Sequence, residues 1–335
     1  MSTPTFILPS FAKINWSLRI LGRRADSYHE VRTVLQTVSL RDHLHFSACT
    51  APDFSDVSLT CNDPAIPLGA DNLIIRAANA LRDRCGVKTG AAIHLEKRIP
   101  TRGGLGGASS NAAVALLGLA RLWNLRLDHH ELVEIGSLLG ADVPFFFLGG
   151  CALATGTGTK LQPIADAVVG PIVDALVDPL VDHGPDEGKR YLLIVTPNAT
   201  VSTAVAYESL KAPALTSSGD ASILSISCAE ENFELSHLCD LHNDFEDVIF
   251  RSEPEIERVK KSLDKVGASG SLLAGSGSSV FGIFENKQGQ ERAVNEIQAE
   301  IGWRVFPAVT VSRHEYLQEF RSCGIPLSGS EMVSL

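Results

Sequence analysis

The stretch Lys97-Arg98-Ile99-Pro100-Thr101-Arg102-Gly103-Gly104-Leu105-Gly106-Gly107-Ala108-Ser109-Ser110-Asn111-Ala112-Ala113 decides how this chain is read. An alternating segment, Ala91 to Lys97, runs into it, and an Ala/Leu-rich helical pattern from Asn111 to Leu122 runs out of it. Four glycines in five residues permit a tight backbone whose N–H groups converge on one anion. The helix behind adds unpaired N–H groups and the positive end of its dipole. A plain strand-to-helix turn, with Ser109 or Ser110 as N-cap, needs fewer glycines. The excess favours a phosphate cradle.

Standard patterns do not describe it. No Lys-Ser or Lys-Thr follows the glycines, as a Walker loop requires. Counting from Gly104, the third position of a dinucleotide fingerprint falls on Ser109, and no ribose-binding acid follows at the expected distance.

Outward from the loop, a chain of 335 residues exceeds the usual size of one core and predicts two domains. A hydrophobic content of 44% with 20% charged residues describes a globular chain rather than a disordered one. A formal net charge of −10 argues against a nucleic-acid partner, since affinity for that backbone comes from Lys and Arg. No apolar run is long enough to span a membrane. The opening Met1-Ser2-Thr3-Pro4 lacks the features of a signal peptide. Seven cysteines without a C-x-x-C spacing fit reduced thiols rather than a disulfide frame or zinc site. A cytoplasmic location is the expectation.

Strands are expected at Thr5–Pro9, Ala12–Leu21, Val31–Leu40, His43–Ala48 and Val57–Cys61. Lys13 and Asn15 alternate with Ile14 and Trp16, so both polar groups share one strand face. His43 and His45 also share a face, but without a third ligand nearby they read as ordinary surface histidines. Asn72 and Gly86 cap a helix over Leu73–Cys85, and Glu131–Leu139 forms another, stopped by Gly140. Asp142 stands two residues before Pro144 and the aromatic run Phe145-Phe146-Phe147. It suits a helix N-cap, and donors there also suit a carboxylate that accepts protons.

Residues 163–188 change character: acidic, rich in Val and Leu, with apolar positions spaced for one helix face. They read as an amphipathic insertion. From Lys189 the pattern restarts with a buried strand, Tyr191–Thr196, and helices at Thr203–Leu210, Asn232–His237, Pro254–Val266 and Gln288–Ile301. Strands at Ser271–Ala274, Ser279–Phe284 and Val305–Val311 complete an α+β sandwich. A second glycine-rich turn, Gly275-Ser276-Gly277-Ser278-Ser279, reads equally as a tight hairpin or as a companion that orders the first loop.

Together these pieces resemble the GHMP small-molecule kinases. The resemblance rests on Phe11-Ala12-Lys13-Ile14-Asn15-Trp16, Arg24-Ala25-Asp26-Ser27-Tyr28-His29, Gly104-Leu105-Gly106-Gly107, Ser109-Ser110-Asn111-Ala112-Ala113, Gly140-Ala141-Asp142-Val143-Pro144, Asn243-Asp244-Phe245-Glu246 and Gly275-Ser276-Gly277-Ser278-Ser279. It implies a two-lobed α+β fold with the active site between lobes, ATP and Mg²⁺ as cofactors, and a small alcohol as acceptor. The Arg-Ala-Asp-x-Tyr-His stretch and Gly-Ala-Asp-Val-Pro-Phe-Phe point to the member whose acceptor carries a cytidine diphosphate group.

By that resemblance 1–162 is the ATP-binding unit, 163–188 an extra insertion, 189–320 the C-terminal unit and 321–335 a frayed tail. Asp142 carries over as general base and Lys13 as its partner. Asn15, Tyr28, His29 and Thr203 carry over as substrate contacts, Tyr28 and His29 gripping the cytosine. The ATP phosphate loop takes Pro100, Thr101, Arg102, Gly103, Gly104, Leu105, Gly106, Gly107, Ala108, Ser109 and Ser110, with Lys97 nearby and Ser110 the expected neighbour of Mg²⁺. Arg102 and Ala108 stand where glycine is usual, and Thr159 where an acid is common. The expected assembly is a monomer or weak homodimer. Competing expectations are a kinase of mevalonate, homoserine or a sugar, none of which needs a Tyr-His pair, and a non-catalytic nucleotide-binding regulator, which needs no base-lysine pair.

Overall fold

The computed structural model describes residues 5–48, 56–165, 189–210, 212–213, 241–298 and 300–327. The expected helix Asn232–His237 and most of the 163–188 insertion lie outside them.

The chain opens with two long antiparallel strands, β1 (Thr5–Arg23) and β2 (His29–Ala48). The sequence suggests a break in each, around Ser10 and around Arg41. Instead β1 runs through bulges at Phe11/Ala12, Asn15/Ser17 and Ile20/Gly22. Bulges bend a strand and re-aim its side chains without ending it. β3 (Val57–Cys61) and β4 (Ala91–Glu96) extend the sheet past β2. The hairpin β5 (Cys151–Gly156) and β6 (Lys160–Ile164) pairs with the other end of β2. Pro163 and Ile164, expected to open the insertion, therefore belong to a strand.

Helices α1 (Leu73–Cys85), α2 (Gly107–Leu122), α3 (His129–Leu139) and α4 (Phe145–Leu148) lie on one face of that sheet. Asn72 caps α1 by accepting from the Ile74 amide, and Gly86 ends it in the left-handed region, as the sequence predicts. Ser110 to Leu119 of α2 are all buried. Its Ala-rich surface permits that close packing, and at Gly118 a Cβ would come 2.2 Å from the Phe46 ring.

The second sheet has the order β11 (Arg304–Val309), β7 (Tyr191–Thr196), β10 (Val280–Phe284), β9 (Gly270–Leu273). One face packs on the first sheet: Ala12, Ile14 and Trp16 meet Leu272, Phe281 and Ile283. The other face is covered by α5 (Thr203–Ser209), α6 (Glu246–Ser252), α7 (Pro254–Lys265) and α8 (Lys287–Ile297). The layers are thus helices, sheet, sheet, helices. Each buried Leu, Ile or Phe in these three interfaces contributes about 1.5–3 kcal/mol.

Two crossings tie the lobes. The short strand β8 (His242–Asn243) leaves the second lobe to pair in parallel with Ser17 and Leu18 of β1. After β11 the chain returns: the Val311 amide donates to the Thr37 carbonyl. Helix α9 (Arg313–Ser322), opened by a Ser312–Glu315 capping box, then buries Tyr316 and Phe320 in the first core. The sequence gives α9 no strong apolar period, and residues 189–320 consequently divide between the lobes. Ile325 and Leu327, in the stretch expected to fray, are buried.

Candidate active site at the glycine loop

Strand β4 delivers the chain to the glycine loop, which lies on β1: the Lys13 amide donates to the Leu105 carbonyl at 3.0 Å, and the Leu105 side chain is buried between the lobes. Gly104 has φ +73, and a Cβ there would stand 1.8 Å from the Ala274 carbonyl oxygen. Only glycine fits a backbone approach this close. The Ser278 and Ser279 amides donate to the Arg102 and Gly103 carbonyls at 3.1 and 3.2 Å. The second glycine-rich turn is therefore both the β9–β10 hairpin and the support of the first loop. Asn243 holds that turn, donating through Nδ2 to the Leu273 and Gly275 carbonyls at 2.8 and 2.7 Å.

Helix α2 starts a full turn earlier than its Ala/Leu pattern suggests. Gly106, at φ +69, is the N-cap and supplies no side-chain bond. The amides of Gly107, Ala108 and Ser109 have no partner one turn back, so the helix opens on free donors and its dipole. Ala108 sits inside α2 and needs no glycine freedom there. Arg102, by contrast, adopts φ +57, the left-handed conformation that glycine favours.

Beside this helix start, Lys13 Nζ lies 2.9 Å from Asn15 Oδ1 and 3.7 Å from Asp142 Oδ2. Asn15 is oriented in turn by donating to Thr33 Oγ1 at 2.7 Å, and Thr33 donates to the Ser17 carbonyl. Lys13 is buried while the Asp142 side chain is 39% exposed, so the carboxylate faces the cleft. Asp142 does not cap α4, whose N-cap is Pro144 without a side-chain bond.

Lys97 lies against the loop, its Nζ 3.3 Å from where a Cβ on Gly107 would stand, and its ammonium is already committed to partners of its own. Its ammonium pairs with Asp42 at 2.8 Å, and also donates to the Ile99 carbonyl. Burial pushes its pKa down against the pull of Asp42. Asp42 is fully buried and also accepts from the Arg98 and Ile99 amides, both at 2.7 Å, and from Asn111 Nδ2 at 3.0 Å. Ser110 Oγ, expected near a metal ion, is buried 2.8 Å from Ser10 Oγ, which also reaches Asn111 Oδ1 at 2.6 Å. These groups brace the loop from beneath.

Tyr28 is 66% exposed. His29 stacks on Tyr207, ring centroids 4.8 Å apart, and Tyr207 meets Phe245 edge-on at 4.9 Å. Burial, then the nearby Asp142 charge, raises the Tyr207 phenol to about 12. Reading the sequence alone misses Tyr207; its only local signal is an aromatic residue in the helix after Thr203. Thr203 Oγ1 lies 3.0 Å from Ser276 Oγ. A cleft of about 340 Å³ runs past Arg102, Gly104, Thr203 and Ser276.

Among the described residues no helix is long and apolar enough to cross a membrane, and no three His, Cys, Asp or Glu side chains cluster to hold a metal.

Residues 72–150 match the GHMP kinases N terminal domain and residues 226–301 the GHMP kinases C terminal family. The 4-diphosphocytidyl-2-C-methyl-D-erythritol kinase of Syntrophotalea carbinolica is 38% identical over 92% of this chain and 99% of its own. A crystal structure of 4-(cytidine 5'-diphospho)-2C-methyl-D-erythritol kinase superposes with a TM-score of 0.67 at 30% identity, covering 91% of this chain and 98% of that one. The L. major mevalonate kinase, at 16% identity and a TM-score of 0.63 over 93% of this chain and 97% of its own, shares the fold alone. With lobes, loops and sequence all in agreement, the chain belongs to the GHMP kinases, in the 4-diphosphocytidyl-2-C-methyl-D-erythritol kinase family.

Proposed function

We propose that the protein transfers the terminal phosphoryl group of ATP to the 2-hydroxyl of 4-diphosphocytidyl-2-C-methyl-D-erythritol, a step toward isoprenoid precursors. The observation that carries the chemistry is the Lys13–Asp142 pair, 3.7 Å apart, beside the uncapped start of α2. Phosphoryl transfer asks an enzyme mainly for alignment and charge neutralisation. The free amides of Gly107 to Ser109 supply donors for ATP phosphate oxygens. Asp142 accepts the proton as the acceptor oxygen attacks phosphorus, an effect worth about 10²–10⁴ in rate. Lys13, fixed by Asn15, offsets negative charge gathering on the transferred group. On the acceptor side, Tyr28, His29 and Tyr207 form an aromatic grip for the cytosine, and Thr203 offers its hydroxyl.

The donor set fits a Mg²⁺ that arrives with the nucleotide. Such an ion keeps most of its waters and binds chiefly through phosphate oxygens; Ser109, in the first turn of α2, would offer it a hydroxyl while Asp142 serves as base. When bound, Mg²⁺ supplies charge neutralisation on the phosphates.

Release of ADP, followed by coupled assay with the cytidyl-methylerythritol, mevalonate and homoserine in parallel, tests the reading. Turnover confined to the first acceptor supports it. Preference for either of the others overturns the substrate assignment.

A further inference from the structure

The cations around the glycine loop are unevenly committed. Lys97 is held by Asp42 and the Ile99 carbonyl, Lys13 by Asn15 beside Asp142, and Arg98 by Glu96 at 2.6 Å. Arg102 is different. It is exposed, it borders the cleft beside Gly104, Thr203 and Ser276, and among the described residues its guanidinium has no ion pair or hydrogen bond.

Its backbone makes the position stranger. At φ +57 a side chain is disfavoured and glycine would sit without strain. The turn uses only the Arg102 carbonyl, which accepts from the Ser278 amide, and glycine supplies the same carbonyl. The side chain therefore adds nothing to the backbone. What it adds is a positive charge on the rim of the cleft, in a chain of net charge −10.

We infer, building on the kinase reading above, that the Arg102 side chain binds a diphosphate chain in this cleft and sets affinity for it. A guanidinium forks onto two phosphate oxygens at once, which suits a polyphosphate better than a single carboxylate or hydroxyl. Two molecules carry that group here, ATP and the cytidine diphosphate of the acceptor. Gly104, carried over with the ATP loop, and Thr203, carried over with the acceptor, line the same cleft as Arg102.

Arg102→Gly and Arg102→Lys in the full chain separate this role from a structural one, because the two roles move stability in opposite directions. Arg102→Gly is expected to melt at or above the wild-type temperature, since strain is relieved. Its KM for one phosphate-bearing substrate should rise about tenfold, the usual weight of a charged hydrogen bond. Arg102→Lys should fall between, keeping the charge without the fork. A rise confined to ATP assigns the nucleotide polyphosphate; a rise confined to the acceptor assigns the cytidine diphosphate. Added salt should shrink the difference. Unchanged KM values for both substrates overturn the inference, and so does a loss accompanied by a lower melting temperature. A wild-type protein that turns over no acceptor would sink the kinase reading instead, and calorimetric titration of the same variants with ADP and with CDP would then judge Arg102 by affinity.

Discussion

Lys13 Nζ sits closer to Asn15 Oδ1, at 2.9 Å, than to Asp142 Oδ2, at 3.7 Å. The amide therefore fixes the ammonium, and the carboxylate stays free to face an acceptor. Asp142→Asn keeps the shape and removes the proton acceptor; turnover should fall by about 10²–10⁴. Lys13→Ala removes charge from beside the transferred group and should cost about 10²–10³ in kcat. Asp142 is partly exposed, so its variant should melt like the wild type. Single-turnover phosphate transfer alongside circular-dichroism melting checks both, and near-normal turnover by either variant defeats the assignment.

The Asp42–Lys97 pair makes a prediction about stability. Asp42 is 0% exposed and receives four donors from Lys97, Arg98, Ile99 and Asn111. Asp42→Ala leaves a buried ammonium uncompensated, which should destabilise by about 3–5 kcal/mol. Lys97→Met with Asp42→Asn, which removes both charges, should recover part of that loss. Urea unfolding of the single and double variants measures it, and additive losses would mean that the pair is not coupled.

Much of this was legible from residues alone, and the failures share one cause. Leu73–Cys85 could be bounded because Asn72 and Gly86 are local signals. The glycine loop declared itself by composition. Lys97 reads as a neighbour of the loop, but its partner Asp42 does not, because Asp42 lies on β2 and no periodicity links the two. Tyr207 gives no local signal of its contact for the same reason: its stacking partner His29 lies on β2 and is brought to it by the meeting of two lobes. Helix α9 was missed because its apolar residues are few, and their burial depends on a sheet laid down by the other end of the chain.

Gly104 tests the docking of the two loops. A methyl group there would meet the Ala274 carbonyl oxygen at 1.8 Å and the Gly277 amide nitrogen at 3.1 Å, in a left-handed backbone. Neither neighbour is a flexible side chain, so the loops must separate. Gly104→Ala is expected to lose roughly 2–4 kcal/mol of stability and most ATP turnover together. Gly302→Ala, also at positive φ but with nothing within 4 Å, carries backbone strain without the collision. It should keep ATP turnover. Hydrogen exchange at Ser278 and Ser279, whose amides donate to the loop, reads the separation directly.

His29 gives the pH dependence. Burial first, and the Arg23 charge second, hold its pKa below the ordinary 6.5. Folding therefore disfavours the protonated ring: this contribution to stability is present above the unfolded pKa and is lost as pH falls through it toward the folded value. On the proposed cytosine role, the neutral ring stacked on Tyr207 is the form that would meet the base. The KM for the acceptor should stay flat from neutral pH down through 6.5 and climb only below it, while the KM for ATP does not follow. Tyr207→Phe keeps the stack and should keep this profile. Tyr207→Ala removes the ring on which His29 rests, so the acceptor KM should rise at every pH and the inflection should move up toward the ordinary histidine value. A profile in which both KM values climb together would place the titrating group elsewhere than at the acceptor end of the cleft.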